Sequence, residues 1–576
     1  MQGQFGAWAF VLLSFAWTSA GSERSNPRYA VRMEYDQRVP MRDGVTLSAD
    51  VFRPDEPGKF PVVLVRTVYD NASAGYATQG MFWASRGYAY VVQDVRGRGE
   101  SEGTFYPLVH EARDGEDTLA WCARQAWSSG KVGTTGSSYL GWTQVYAAAS
   151  PHLSAMIPIV TPPDPHRNFP VQFGAYAPTT ISWLAYISGR TLQDTSHIDL
   201  MKAYWHLPLI EMDSLFGRRI PAWRDWLDHP TLDAYWGKQA YQEKLLGTEA
   251  PALHISGWYD DVLVGTTENF INLTMRGSSP LIRARQWLLI GPWGHRINTR
   301  SVGGVDFGPG AVIDLEELQL QWFGHWLEGK DNGVDAWPKV RIFVMGENRW
   351  RDEKEWPLAR TEYKKLFLRS RGRANSRFGD GTLGTEPPGN EPPDRYRYDP
   401  RDPVPFLTEP NFSQIGGPDD YRAVERRDDV LVYDGPVLEE SLEVCGPLRV
   451  KLYAASSARD TDWTAKLLDV RPDGYAQRLN DGIVRARFRR SLAREEFLTP
   501  GAVEEYDVDC WSTCIVMGKG HRLRLEISSS AFPKFDRNLN TGGPIGKESE
   551  GLVAEQSVYH DAARPSHVLV PVVPRR

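Results

Sequence analysis

Several common classes of protein are excluded by what this chain has little of. Four cysteines in 576 residues are too few for a scaffold held together by disulfides. Cys510 and Cys514 are a candidate pair if the protein is exported, with buried free thiols as the alternative. Their spacing is not C-x-x-C and no histidine pair accompanies them, which argues against zinc. No block of Lys and Arg stands out, and 66 basic against 73 acidic side chains leave a net charge of −7, so the electrostatic footprint of a nucleic-acid binder is missing. No apolar run reaches the roughly 20 residues that a membrane-spanning helix needs. No repeat of fixed period is present.

One short apolar core does occur, Ala7 to Trp17, followed by the small residues Thr18-Ser19-Ala20. Residues 1–20 read as a secretory signal peptide, which implies a periplasmic or secreted protein. The first six residues hold no Lys or Arg, so a misplaced start and a cytoplasmic protein are the alternative. The remainder is globular in composition, with 41% hydrophobic and 24% charged residues, and too long for one core, so two or three domains are expected. It is rich in aromatics, with 21 Trp, 24 Tyr and 22 Phe, which suits either an apolar pocket or large β modules.

The chain divides into three kinds of stretch. From Val39 to about Ser150 strands and helices alternate: Leu47–Arg53, Phe60–Val65, Tyr88–Gln93 and Lys131–Gly136 read as strands, Glu111–Gln125 and Trp142–Ala149 as helices. This implies a mainly parallel sheet covered on both faces. From about Pro162 to Lys244 helix-like segments dense in aromatics dominate (Phe169, Phe173, Tyr176, Trp183, Tyr186, Tyr204, Trp205, Trp223, Trp226), as in a helical insertion. The α/β pattern returns at Pro251–Ser256 and Gln286–Ile290 and closes with a helix over Leu315–Leu327. From about Tyr363 short strands with turn signals such as Pro472-Asp-Gly474 indicate a β-sandwich. Gly381–Pro403 reads as a surface loop. The expected divisions are 30–165 and 249–360 for the α/β part, 166–248 for a helical cap, and 361–576 for the β-sandwich.

The chemistry concentrates at Gly133-Thr-Thr-Gly-Ser-Ser-Tyr-Leu-Gly141, where a strand enters and a helix leaves. A serine nucleophile on such a sharp turn needs a small residue two positions before it. Gly136 meets that need for Ser138, whereas Thr135 would fill the place for Ser137. Leu140 stands where the generic G-x-S-x-G pattern has its second Gly. A serine hydroxyl needs a base and the base an orienting carboxylate, following in the order Ser, Asp or Glu, His. The strand ending in Gly257-Trp-Tyr-Asp260 and the strand ending in Gly291-Pro-Trp-Gly-His295 supply both, with Asp261 competing with Asp260. The backbone N–H of Tyr139 is one expected oxyanion donor. Tyr69, in the loop after Pro61–Val65, is the other candidate, through its backbone or its hydroxyl, although the sequence alone favours a merely packed tyrosine.

With these landmarks the chain resembles the CocE/NonD family of hydrolases, whose catalytic domain is shared with X-Pro dipeptidyl-peptidases of the S15 type. The resemblance runs through Met41–Asp50, Asp94-Val-Arg-Gly-Arg-Gly-Glu-Ser101, Gly136–Gly141, Gly257–Asp260, Gly291–His295, Asp462-Trp463, Asp469–Gly474 and His560–Pro571. In this family G-x-S-Y-x-G is the usual elbow, which accounts for Leu140. The resemblance implies an α/β-hydrolase core with a helical cap and a C-terminal all-β jelly roll (galactose-binding-like). It also implies that Tyr69 gives its phenol hydroxyl to the oxyanion. The triad expected is Ser138, Asp260 and His295, working through an acyl-enzyme on a small ester or amide, with no metal or organic cofactor. The similar α-amino acid ester hydrolases place acidic residues shortly after the catalytic Asp, but Val262 and Leu263 follow Asp261 here. The peptidases of this type carry an extra N-terminal helical domain that the short stretch before Val39 leaves no room for. Both departures favour an esterase or amidase for a neutral acyl substrate over an aminopeptidase or an α-amino acid ester hydrolase. A hydrolase scaffold without activity, serving a jelly-roll binding module, is the reading of another class. The intact Ser138, Asp260 and His295 set argues against it. The acidic start His110–Asp117 reads as helix-dipole complementation rather than a metal site. A homodimer is left open.

Overall fold

A computed structural model describes residues 25–409 and 414–574. The expected signal peptide therefore lies outside the described residues. No helix among them is long and apolar enough to cross a membrane.

Ten strands form the central sheet, in the order Val31–Pro40, Thr46–Pro54, Ala89–Asp94, Phe60–Thr67, Ser128–Ser137, Leu153–Ile159, Ala252–Gly257, Gln286–Gly291, Val340–Val344, Arg349–Glu353. The two pairings at the first edge and the one at the last are antiparallel, and all those between are parallel. Every residue of Ala89–Asp94, Ala252–Gly257 and Gln286–Gly291 is buried, as expected of parallel strands covered on both faces. The covering helices include Ala74–Ala84, Glu111–Arg124, Tyr139–Tyr146, Leu263–Arg276 and Leu315–Glu328. The last is started by Asp314, whose carboxylate accepts the Glu317 N–H at 3.1 Å. The acids at the start of Glu111–Arg124 do more than meet a helix dipole. Glu111 and Asp114 are buried and ion-paired to Arg66 (2.9 Å) and Arg96 (2.7 Å).

Between Ile159 and Ala252 lie short helices, among them Thr180–Tyr186, Pro221–Asp228 and Ala234–Gln239. They pack into a separate cluster in which Tyr176, Trp223, Trp226 and Trp236 are buried, joined by Phe488, Phe532 and Ile545 of the β region. Several of the aromatics that crowd this part of the sequence are therefore core, whereas Phe169 and Tyr186 pack on Trp142 and Tyr69 of the α/β part.

From Glu362 onward the structure is mainly antiparallel β, with Leu442–Ser456 paired along Glu504–Met517 and Asp462–Val470 along Ala476–Arg485. Two expectations are corrected here. Gly381–Pro403 is not wholly loop: Asp394–Tyr398 is a strand paired with Ala554–Asp561, burying Asp394, Tyr396 and Tyr398 and exposing Arg395 and Arg397. Proline and glycine around it mask this five-residue alternation. Cys510 and Cys514 do not pair. They lie on one extended strand, where four residues span about 13 Å, beyond the reach of a disulfide. The register instead sets Cys514 opposite Cys445, with which it forms a disulfide, and Cys510 is a buried thiol.

One guanidinium ties the β-sandwich to the helical segment. Arg485, 2% exposed, takes both oxygens of Asp462 and one of Asp536, all at 2.9 Å. Its N–H donates to the carbonyl of Phe173, and Asp536 accepts the N–H of Tyr176. Asp462→Ala leaves this buried cation under-paired, which costs about 3–5 kcal/mol. Urea unfolding is expected to show that loss, whereas Asp55→Ala, whose partner Arg32 is about half exposed, should cost no more than about 1 kcal/mol. Equal midpoints for the two variants would contradict the role given to Arg485.

Candidate active site

The strand Ser128–Ser137 runs directly into the helix Tyr139–Tyr146, and Ser138 between them has φ 63° and ψ −120°. Such a backbone is costly for a residue with a Cβ and persists only where its surroundings over-determine it. Here the Ser138 N–H is held by the carbonyl of Ile159 at 2.9 Å. Gly136 is required by the same turn: its φ is +144°, and a Cβ there would sit 2.5 Å from Cβ of Leu140. The turn lifts the Ser138 hydroxyl off the sheet edge.

Asp260 and His295 come from the loops after two neighbouring parallel strands, Ala252–Gly257 and Gln286–Gly291. The loops stay paired beyond the sheet: Trp258 donates to Gly291 O and Tyr259 to Trp293 O, each at 2.9 Å. Gly257 permits this approach, since a Cβ there would meet the Trp293 carbonyl oxygen at 2.2 Å. The result is a continuous chain of hydrogen bonds. Asp260 Oδ1 lies 2.8 Å from His295 Nδ1, and His295 Nε2 lies 2.9 Å from Ser138 Oγ. Asp260 is fully engaged otherwise, accepting the Ser256 hydroxyl at 2.6 Å and the Val262 N–H at 3.2 Å. Asp261 sits on the same imidazole edge, its Oδ1 at 3.3 Å from Nδ1, but that oxygen has no hydrogen-bond partner. Of the two carboxylates, Asp260 is the one in hydrogen-bonding position.

The charges follow from this packing. Burial opposes a charge on His295, but the Asp261 carboxylate and the hydrogen bond to Asp260 outweigh it and hold the imidazolium up to about 9. Burial, with Asp260 adding to it, raises the Asp261 carboxyl even though His295 and Lys534 draw it down.

Tyr69 and Tyr139 flank the serine. Tyr139 is the first residue of its helix, so its N–H has no intrahelical acceptor. Its buried hydroxyl donates to Glu111 at 2.8 Å and accepts the Leu108 N–H at 3.1 Å, anchoring the helix start. The Tyr69 hydroxyl accepts the indole N–H of Trp183 at 3.0 Å, and Tyr69 lines the same cavity as Ser138. Burial pushes its pKa up to about 12, which keeps it a proton donor. All five residues singled out in the sequence thus converge on one point.

Two cavities meet at Ser138 and His295. One, of about 200 Å³, is walled by Trp142, Phe169, Trp183, Val262 and Ile415, with Asp261 at its side. The other, of about 500 Å³, extends past Tyr69 towards Phe82, Trp83, Gln79 and Gln319. Some contributors were beyond reach of sequence reasoning. Gln414, from the β-sandwich side, accepts the His295 N–H at 3.1 Å and donates to the Tyr259 carbonyl at 2.9 Å, bracing both loops. Nothing local marks it or Ile415. Trp142 lies one turn into the helix after Ser138, and that proximity is the signal by which it was detectable.

The family model for X-Pro dipeptidyl-peptidase (S15 family) matches residues 43–296, and that for the X-Pro dipeptidyl-peptidase C-terminal non-catalytic domain matches residues 332–569. The chain is 38% identical over 569 residues to cocaine esterase of Rhodococcus sp. (strain MB1 Bresler), covering 93% of this chain and 98% of that one. Among solved structures, an aminopeptidase from the marine sediment archaeon Thaumarchaeota archaeon superposes with a TM-score of 0.84 at 25% identity, covering 97% of this chain and 99% of that one. An α-amino acid ester hydrolase does so with a TM-score of 0.82 at 26% identity, covering 98% and 100%. The α/β-hydrolase fold with its C-terminal β region is thereby established, and the chain belongs to the S15 family of serine hydrolases, together with its CocE/NonD esterase relatives.

Proposed function

We propose that the protein cleaves a neutral ester or amide with an aryl or alkyl acyl group, through an acyl-enzyme on Ser138. The observation that carries this reading is the unbroken chain Asp260–His295–Ser138, set on a strained serine between two cavities. His295 Nε2 takes the Ser138 proton as Oγ attacks the acyl carbon, and Asp260 stabilises the imidazolium. The N–H of Tyr139 and the hydroxyl of Tyr69 receive the developing oxyanion. Nε2 then returns the proton to the leaving alcohol or amine, which departs as the acyl–Oγ bond remains. Water, deprotonated by the same nitrogen, hydrolyses that bond and restores Ser138. The aromatic walls of the smaller cavity suit the acyl group, and the larger cavity leaves room for the leaving group.

A second reading is favoured by one observation. Asp261 presents a buried carboxylate oxygen without a hydrogen bond beside the smaller cavity, where it would meet the ammonium of an α-amino ester. Phenylacetyl and phenylglycyl methyl esters separate the two readings. Preference for the amino ester, abolished in Asp261→Asn, would replace the neutral-acyl reading.

Hydrolysis of a short-chain p-nitrophenyl ester tests the nucleophile. Ser138→Ala is expected to lower kcat by about 10⁴-fold or more, and a fluorophosphonate should label the native protein once and the variant not at all. A folded native protein that neither turns over nor labels would sink the hydrolase mechanism at this site.

The pH dependence follows from the two carboxylates. The base must be neutral to accept a proton, and His295 is held protonated up to about 9. Activity should therefore rise with pH through that range. Asp261→Asn removes an anion that favours the imidazolium, so the acid limb of kcat/KM should move to lower pH by about one unit. An unmoved or raised limb would contradict the influence assigned to Asp261.

A further inference from the structure

A tyrosine hydroxyl carries one proton and two lone pairs, whereas an indole N–H can only donate. The 3.0 Å bond between Trp183 Nε1 and the Tyr69 hydroxyl therefore occupies a lone pair and leaves the phenolic proton uncommitted. Tyr69 and Ser138 line the same cavity. Donation into a hydroxyl also strengthens that hydroxyl as a donor.

Both ends of this bond are fixed by one buried cation. Arg98, 1% exposed, donates through Nε to the carbonyl of Val68 at 3.0 Å and through a terminal nitrogen to the carbonyl of Ile187 at 2.7 Å. Val68 immediately precedes Tyr69, and Ile187 immediately follows the helix Thr180–Tyr186 that carries Trp183. The Trp183 ring also packs on Tyr139 and Phe169, with centroids 5.8 and 6.0 Å away, so the indole has little freedom to turn.

We propose that Trp183 is a positioning residue of the oxyanion site: its N–H fixes the Tyr69 hydroxyl so that the phenolic proton points at the oxygen that becomes negative when Ser138 attacks. The helical segment then completes the machinery of the core as well as walling the substrate cavity. This inference rests on the reading of Tyr69 as an oxyanion donor.

The test separates hydrogen bonding from packing. Replacing Trp183 by 3-benzothienylalanine keeps the bicyclic shape and removes the N–H, and Trp183→Phe is the encoded counterpart. Each is compared with Tyr69→Phe and combined with it, reading kcat and KM for a p-nitrophenyl ester and the affinity for an aryl trifluoromethyl ketone, which forms a tetrahedral oxyanion. The benzothienyl protein should lose about 5–30-fold in kcat, with KM within about twofold, and bind the ketone correspondingly less well. Tyr69→Phe should lose about 10²-fold. The combined variant should be no worse than Tyr69→Phe alone, because the indole acts through the phenol. Full kcat in the benzothienyl protein while Tyr69→Phe is impaired would overturn the inference. So would a loss confined to KM, or one that persists undiminished in the Tyr69→Phe background. Full kcat in Tyr69→Phe itself is a different pattern, which removes Tyr69 from the oxyanion site and Trp183 with it.

Discussion

The hydrogen bond from the Tyr259 amide to the Trp293 carbonyl, continuing the pairing of two parallel strands past the end of the sheet, is the constraint on which the site depends. A parallel pair normally splays once its strands end, because each leads into a separate crossover. Here the pairing persists long enough to bring residue 260 beside residue 295. Neither Asp260 nor His295 then needs an unusual conformation to meet the other. The strain is placed instead on Ser138, whose left-handed backbone is held by the Ile159 carbonyl. Precise loops and one strained residue thus divide the work of assembly.

Much of this could be read from the chain. Val-rich runs marked Phe60–Val65 and Tyr88–Gln93 as strands, and Gly136 distinguished Ser138 from Ser137, because both signals are local: one is a pattern along the backbone, the other a steric demand within one turn. Asp260 and His295 were legible for a related reason, since each closes a strand with a glycine-containing turn. What could not be read is contact made across the fold. Gln414 stands 119 positions from His295, and Trp183 stands 114 from Tyr69. No periodicity encodes such meetings. The disulfide shows the same limit, because choosing Cys445 over Cys510 as the partner of Cys514 requires the register of two long strands. The abundance of aromatics was ambiguous by nature. Trp223, Trp226 and Trp236 are core, whereas Phe169 and Trp183 line the cavity at Ser138, and the two groups are alike in sequence.

The β-sandwich is drawn into the same arrangement. Gln414 and Ile415 reach His295 and the smaller cavity, while Arg485 clamps the sandwich to the segment that carries Trp183. A region matched by a model described as non-catalytic thereby bears on the geometry around Ser138. Loosening it would be felt at the imidazole through the Gln414 bridge and at the Tyr69 hydroxyl through the helical segment.

Adjacent carboxylates at Asp260 and Asp261 show how packing, rather than residue type, assigns roles. Both lie within 3.3 Å of His295 Nδ1. Asp260 is surrounded by donors, from Ser256, Val262 and His295. Asp261 has an oxygen with no donor, and burial raises it towards neutrality. Together the two carboxylates favour the imidazolium, which is held up to about 9 against the cost of burial. Asp260 accepts the Nδ1 hydrogen bond, whereas Asp261 acts on the ring through its charge. The pair therefore holds the ring with Asp260 and adjusts its basicity with Asp261, a division that the sequence Asp260-Asp261 alone does not distinguish.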